Sequence, residues 1–249
     1  MRILLISDVH ANLEALEAVL AAAPAHIAVW NLGDLVGYGA SPNEVVERLI
    51  PLQNVAVRGN HDKAASGITD LSDFNPIAAA ALVWTRNQLI ATSRLALRQL
   101  ARGPVLPSEG VACAHGSPLD EDHYIHSRRE AWHPLAESPA RITFFGHTHI
   151  QGGYQLEEQH CTSLKPNYHG GVEREVVTLA LDSSHRYLLN PGSVGQPRDN
   201  DWRAAFALFD LSSMQLEWHR IPYNVELAQR RIREAGLPER LAARLASGR

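Results

Sequence analysis

Cysteine is scarce. Cys113 and Cys161 are the only two, too few for a disulfide framework or a thiolate zinc site. No apolar run approaches the roughly 20 residues that a membrane-spanning helix needs. The apolar start Ile3-Leu4-Leu5-Ile6 is cut off by Asp8 and His10, too soon for the core of a signal peptide. Lysine is nearly missing: Lys63 and Lys165 stand against 21 Arg among the 23 basic residues, a bias that carries no chemistry by itself. The net charge is −4, and no extended basic tract is present, which counts against a nucleic-acid partner. These absences lead us to expect a reduced, cytoplasmic chain with no membrane partner.

What is present is an ordinary globular composition, 45% hydrophobic and 20% charged over 249 residues. That is enough chain for one domain with a sizeable core, and we expect a single domain over 1–249. Strand and helix alternate at the start. Ile3–Ser7 reads as a buried strand, followed by Leu13, Leu16 and Leu20 at helical spacing up to Pro24. Ile27–Trp30 and Val55–Val57 read as further strands. Between them Ser41-Pro42-Asn43-Glu44 reads as a capping box that opens a helix ending near Ile50. This alternation predicts a sheet with a parallel start.

Helices are expected from Asn75-Pro76 and from near Thr92. Strands then return at Val111–Ala114, Ile142–Phe145, Val176–Leu181, Tyr187–Leu189, Ala204–Phe209 and Leu216–Ile221. With few helices between them, these predict a second, mixed or antiparallel sheet. Two helices around Gly236 close the chain. An excursion is expected at about 151–185, whose polar, unperiodic part 151–175 reads as a surface loop.

Ionisable residues fall where the strands end. The runs finish in Asp8-Val9-His10, Gly33-Asp34, Gly59-Asn60-His61-Asp62, His115-Gly116 and Gly146-His147-Thr148-His149. In open α/β sheets, ligands bind outside the carboxyl ends of the strands. Singly, each has a bland role: an Asp after a strand caps a helix, and a loop His is solvated. Jointly, five strand ends deliver carboxylate, imidazole or carboxamide to one edge. Such donors suit Mn, Fe, Zn, Ni or Co. Two divalent ions in such a set would be balanced only in part by Asp8 and Asp34, leaving positive charge to attract hydroxide and a phosphate oxygen.

In that order the motifs resemble those of the calcineurin-like metallophosphoesterases. The steps from Asp8 to Asp34 and from Asp34 to Asn60 are both 26 residues, as that family has them. The stretch Asp8 to Leu16 and the block Asn190-Pro191-Gly192-Ser193-Val194-Gly195-Gln196-Pro197-Arg198 are similar to its small bacterial and archaeal phosphodiesterase-like members. The likeness runs from residue 1 to about 240 and is weakest over 155–185.

The resemblance implies an α/β fold (α+β in mixed usage), a four-layer α-β-β-α sandwich of two mixed sheets flanked by helices. It implies two divalent transition-metal ions, Mn foremost. Asp8, His10 and His149 would hold one, and Asn60, His115 and His147 the other, with Asp34 bridging. It makes His61 the general acid for the leaving oxygen and Arg58 a grip on substrate phosphate; beside it, Asp62 or another acid would orient the His61 ring and keep it protonated. Arg198 is a weaker second grip. Gly192, Ser193 and Gly195 read as a tight turn back against the site.

The expected activity is hydrolysis of a small-molecule or nucleotide phosphoester by a hydroxide that bridges the metals. A phosphodiesterase or a broad phosphoesterase is preferred. A monoesterase like the Ser/Thr protein phosphatases, or a dinucleoside polyphosphate hydrolase, is the alternative. A non-catalytic scaffold of the same fold is a minor one. Trp30, Tyr38, Trp84, Tyr124, Trp132 and Trp202 are candidate stacking platforms, and His123 and His126 candidate rim residues. Homo-oligomer formation is left open.

Overall fold

A computed structural model describes residues 1–25 and 27–249. Two six-stranded sheets lie face to face. The first runs β3 (Gln53–Ala56), β2 (Ala28–Asn31), β1 (Arg2–Ile6), β11 (Ala204–Asp210), β12 (Gln215–Ile221) and β9 (Glu175–Ala180). The second runs β4 (Val105–Ser108), β5 (Val111–Cys113), β6 (Ile142–Phe144), β10 (Arg186–Asn190), β7 (Gly152–Glu157) and β8 (His160–Leu164). In the first, β1, β2 and β3 are parallel, and in the second β5, β6 and β10. All the other pairs are antiparallel.

Alternation along β1 explains the layering. Ile3 and Leu5 enter a core between the sheets with Trp30, Phe144, Leu189 and Phe209. Leu4 and Ile6 face the other way, into a second core under the helices. Successive strand side chains point to opposite faces, so an all-apolar strand must be covered twice. The covering helices are α1 (Leu13–Ala22), α2 (Pro42–Leu49), α3 (Asn60–Ser66), α4 (Pro76–Gln88), α5 (Ala91–Arg98), α7 (Val225–Glu234) and α8 (Glu239–Leu245). On the far face of the second sheet, α6 (Arg128–Glu137) packs Ala131 and Leu135 against Phe145, Tyr154 and Leu188. The result is the expected four-layer sandwich. Among the described residues, no helix is long and apolar enough to cross a membrane.

Four expectations need correction. The late strands do not all form one sheet, because β9, β11 and β12 complete the first sheet in antiparallel fashion. Residues 152–164 are a hairpin rather than a loop. Tyr154 and Leu156 alternate inward to the α6 core, too few apolar residues to register as a strand pattern. Helix α6 was not expected, since it carries Pro134 and few apolar residues. Ser41 makes no side-chain cap, although α2 begins with Pro42 as expected. Its hydroxyl instead accepts from Arg231 at 3.1 Å.

Candidate metal centre

The parallel strands of both sheets end at the same edge. There the loops after β1 and β2 lace together, with Asp8 N–H donating to Gly33 O at 2.9 Å and His10 N–H to Asp34 O at 3.0 Å. To turn this sharply the backbone takes left-handed φ at Asp8 (53°), His10 (50°), Asp34 (58°), His147 (66°) and His149 (61°). Such a conformation costs a non-glycine residue about 1–3 kcal/mol and clusters at functional sites. At the cross-over point, Gly59 passes so close to Asp34 that an added Cβ would lie 1.9 Å from Oδ1. The expected turn at Gly192–Gly195 does return to the site. Val194 N–H donates to Ser7 O and Gly195 N–H to Asp8 O, both at 3.0 Å.

Six of the seven expected ligands form two triads of fully buried groups, Asp8–His10–His149 and Asp34–His115–His147. Within each triad the donor atoms lie within 4.8 Å of one another. Asp34 Oδ2 is 3.6 Å from His10 Nε2 and 3.4 Å from His115 Nε2, so one oxygen faces both triads. The seventh, Asn60, opens α3, and its Oδ1 is buried without a partner.

Tautomers follow from the carbonyls that the rings meet, because a carbonyl only accepts. His10 Nδ1–H donates to Val36 O at 3.0 Å and His149 Nδ1–H to Gln196 O at 2.6 Å. His115 Nδ1–H donates to Leu32 O at 2.7 Å. His147 is turned round, with Nε2–H donating to Asp122 O at 3.1 Å, which leaves Nδ1 with the lone pair. The carbonyls thus fix each ring as an outer shell does for metal ligands.

A cation fits this set. Burial pushes the His10 and His149 imidazoliums well below the ordinary value, so both rings are neutral at pH 7. Their Nε2 lone pairs face each other at 3.1 Å, an arrangement that repels unless positive charge lies between. Asp8 Oδ1 and His115 Nε2 are also buried without hydrogen-bond partners, which costs free energy unless a ligand completes them. The donors are imidazole, carboxylate and carboxamide, the borderline-to-hard kind.

Two roles expected for the flanking residues need correction. Asp62 does not touch the His61 ring. Its two oxygens accept the backbone N–H of Asp34, Leu35, Val36 and Gly59 at 2.8–3.3 Å. Burial, with Arg198 adding to it against the opposing Asp34 charge, pushes the His61 imidazolium down to about 4. Arg58 is not free to grip phosphate either. Its Nε and Nη2 form a two-pronged pair with Glu121 at 3.1 and 2.8 Å.

Arg198 stands next to the ligand set, its backbone N–H donating to His149 O at 3.1 Å and its Nη2 to Gln196 Oε1 at 2.9 Å. Its guanidinium lies 5.7 Å from the Tyr38 ring centre, its Nε is buried without a partner, and its charge is felt at Asp8, His10, His61 and His149.

The centre opens onto a cavity of about 250 Å³ lined by Asn60, His61, His147, Tyr38, Phe74 and Tyr124, among others. Of the candidate platforms, Tyr124 stacks on His147 with centroids 3.6 Å apart, and Tyr38 packs on His10 and His61. Trp30 belongs to the inter-sheet core, while Trp84, Trp132 and Trp202 pack against the outer cores. Of the rim candidates, His126 stacks on Tyr124, and His123 contributes its carbonyl to Ser117 N–H.

Comparison with known proteins agrees. The profile of the calcineurin-like phosphoesterase superfamily domain matches residues 1–214. The chain belongs to that superfamily. A metallophosphoesterase from Sphaerobacter thermophilus is 41% identical and superposes with a TM-score of 0.85 over the whole of both chains. An uncharacterized protein from Methanocaldococcus jannaschii is 34% identical over 256 residues, covering 99% of this chain and 98% of its own. A hypothetical protein from Pyrococcus horikoshii OT3 shares the fold at 18% identity, with a TM-score of 0.78 over 100% of this chain and 98% of its own. Membership places the chain among metal-dependent hydrolases of phosphoesters.

Proposed function

We propose that the chain hydrolyses phosphodiesters, or small phosphoesters broadly, with two divalent cations, Mn foremost, held at the strand ends. Asp8, His10 and His149 hold one cation. Asn60, His115 and His147 hold the other, and Asp34 is shared. The observation that carries this reading is the position of Asp34 Oδ2, facing both His10 and His115 at 3.6 and 3.4 Å. When bound, such a pair supplies Lewis acidity to phosphoryl oxygens and lowers the pKa of water.

The chain's own groups supply the rest. Arg198, with no carboxylate partner among the described residues, offers its guanidinium to the non-bridging phosphate oxygens. His61 lines the cavity and stands beside Tyr38 and Phe74. Its ring is neutral without substrate. An arriving phosphate adds negative charge, which raises the imidazolium and readies it to protonate a departing alkoxide. Tyr124 holds His147 in place from the open side.

The test is elemental analysis of the purified protein, then turnover of bis(p-nitrophenyl) phosphate with Mn added back. Asp34→Asn should lose bound metal and activity together. An Asp34→Asn variant that kept full metal content and turnover would overturn the assignment.

A further inference from the structure

Beside the metal centre lies a second groove of about 580 Å³. It shares Tyr38, Asn75 and Tyr124 with the first cavity, so the two adjoin. Their charges differ. The first carries Asp70, Asp73 and Asp122 on its walls, whereas the second has no carboxylate side chain and three arginines, Arg198, Arg240 and Arg244.

Arg240 and Arg244 sit four apart on α8, one helical turn, and so project from one face. The end of that helix is latched onto the segment that carries Arg198. Asn200 N–H donates to Gly248 O at 2.9 Å, and Arg249 Nε to Asn200 Oδ1 at 3.0 Å. Arg244 Nε donates to the Arg249 backbone oxygen. None of the three arginines pairs with a side-chain carboxylate among the described residues, although nine other arginines do.

Like charges held together in a partly closed groove repel, and an anion relieves that repulsion. Burial first, then Arg198 and Arg240, push the Arg244 guanidinium down to about 10, the direction that such crowding produces.

We propose that this groove is a subsite for a second phosphate group of the substrate, held by Arg240 and Arg244 while Arg198 spans the two phosphates. The substrate class is then a phosphoester with a further phosphate, either in a polyphosphate chain or on another carbon of the same molecule. This rests on the hydrolase reading above and names the substrate class of that site. Tyr38 and Tyr124 stand at the junction of the two cavities.

The experiment compares three substrates of the Mn-loaded protein. Bis(p-nitrophenyl) phosphate has no second anion, adenosine 5′-diphosphate has one in a chain, and adenosine 3′,5′-bisphosphate has one on a separate carbon. Arg240→Ala and Arg244→Gln should each lower kcat/KM for a two-phosphate substrate, relative to the diester, by about tenfold. Arg230→Ala, on α7 and outside the groove, should leave the ratio unchanged. A drop with the diphosphate alone assigns the chain source, and a drop with the bisphosphate alone assigns the other.

Calorimetry gives a readout free of turnover. Metal-free protein should bind inorganic tripolyphosphate, and each groove variant should weaken that binding about tenfold. Ratios and tripolyphosphate binding that ignore both variants, in an enzyme that still hydrolyses the diester, would overturn the subsite and leave the hydrolase reading standing. Conversely, lost tripolyphosphate binding in a protein that hydrolyses none of the three would support the groove and overturn the hydrolase reading.

Discussion

The carboxylate of Asp62 accepts the backbone N–H of Asp34 at 2.8 Å and, through the same oxygen, that of Gly59 at 3.0 Å. It thereby ties the loop after β2 to the loop after β3. We predict that Asp62→Asn destabilises the metal-free protein by about 3 kcal/mol, because an amide nitrogen cannot accept and strands at least one buried donor. Denaturant unfolding measures this. Bound metal should fall as well, since Asp34 and Asn60 ride on those loops. A fully stable variant that lost only turnover would restore a chemical role to Asp62.

Metal loading should depend on pH in a definite sense. Burial works against it, yet the charges of Asp34 and Asp8 carry the His115 imidazolium up to about 10. Burial pushes the Asp8 carboxyl up to about 7. A cation must displace both protons, so affinity rises with pH. Loading should release about one proton above pH 7 and approach two below it. Calorimetry in buffers of different ionisation enthalpy counts them, and affinity that is flat between pH 6 and 8 would refute this.

His61→Gln should keep its metal and lose activity mainly toward poor leaving groups. A p-nitrophenolate departs without a proton, whereas an alkoxide does not. We expect about a hundredfold loss for an alkyl ester and a much smaller one for a nitrophenyl ester. Equal losses would remove His61 from the acid role.

Gly59→Ala should lose metal while keeping most of its fold. Its Cβ would meet Asp34 Oδ1 at 1.9 Å, so the carboxylate that faces both triads has to move. Metal content and far-ultraviolet circular dichroism separate the two effects. Wild-type metal content in this variant would show that Asp34 has freedom the packing denies.

Arg198→Ala should raise KM for any phosphoester by at least about tenfold, as the loss of a charge-assisted hydrogen bond implies. Arg58→Ala should act through Glu121 instead, which Lys63 also holds at 3.1 Å. Its effect should be smaller, and steady-state kinetics on the two variants decides the order.

The layering and the clustering of the candidate ligands were legible because each rests on a short-range signal. All-apolar strands such as Leu4–Ile6 demand cover on both faces, and Asp8, Asp34, Asn60, His115 and His147 each stand within four residues of a strand end. Arg58 and Arg198 were both legible as candidate phosphate grips, but which of them has a carboxylate partner was not. Arg58 lies beside Asn60 in sequence, but its partner Glu121 is 63 residues away. Arg198 has no carboxylate partner among the described residues because no acid folds back onto it, and its Nη2 donates to Gln196 Oε1 instead. Arg240 and Arg244 were missed for a similar reason: helical spacing shows that they share a face, yet nothing local says which groove that face meets. The left-handed backbone at five of the candidate ligand positions was equally silent, since Asp and His there look like any loop residue.

Each triad draws on both layers. Asp8 and His10 leave the first sheet while His149 leaves the second, and Asp34 meets His115 and His147 across the same seam. A seated cation would therefore be a rivet between two slabs whose facing surfaces are packed mainly from oily side chains. Stripping it should let that end of the seam breathe, with faster amide exchange in the first turns after β1 and β6 than at the opposite rim.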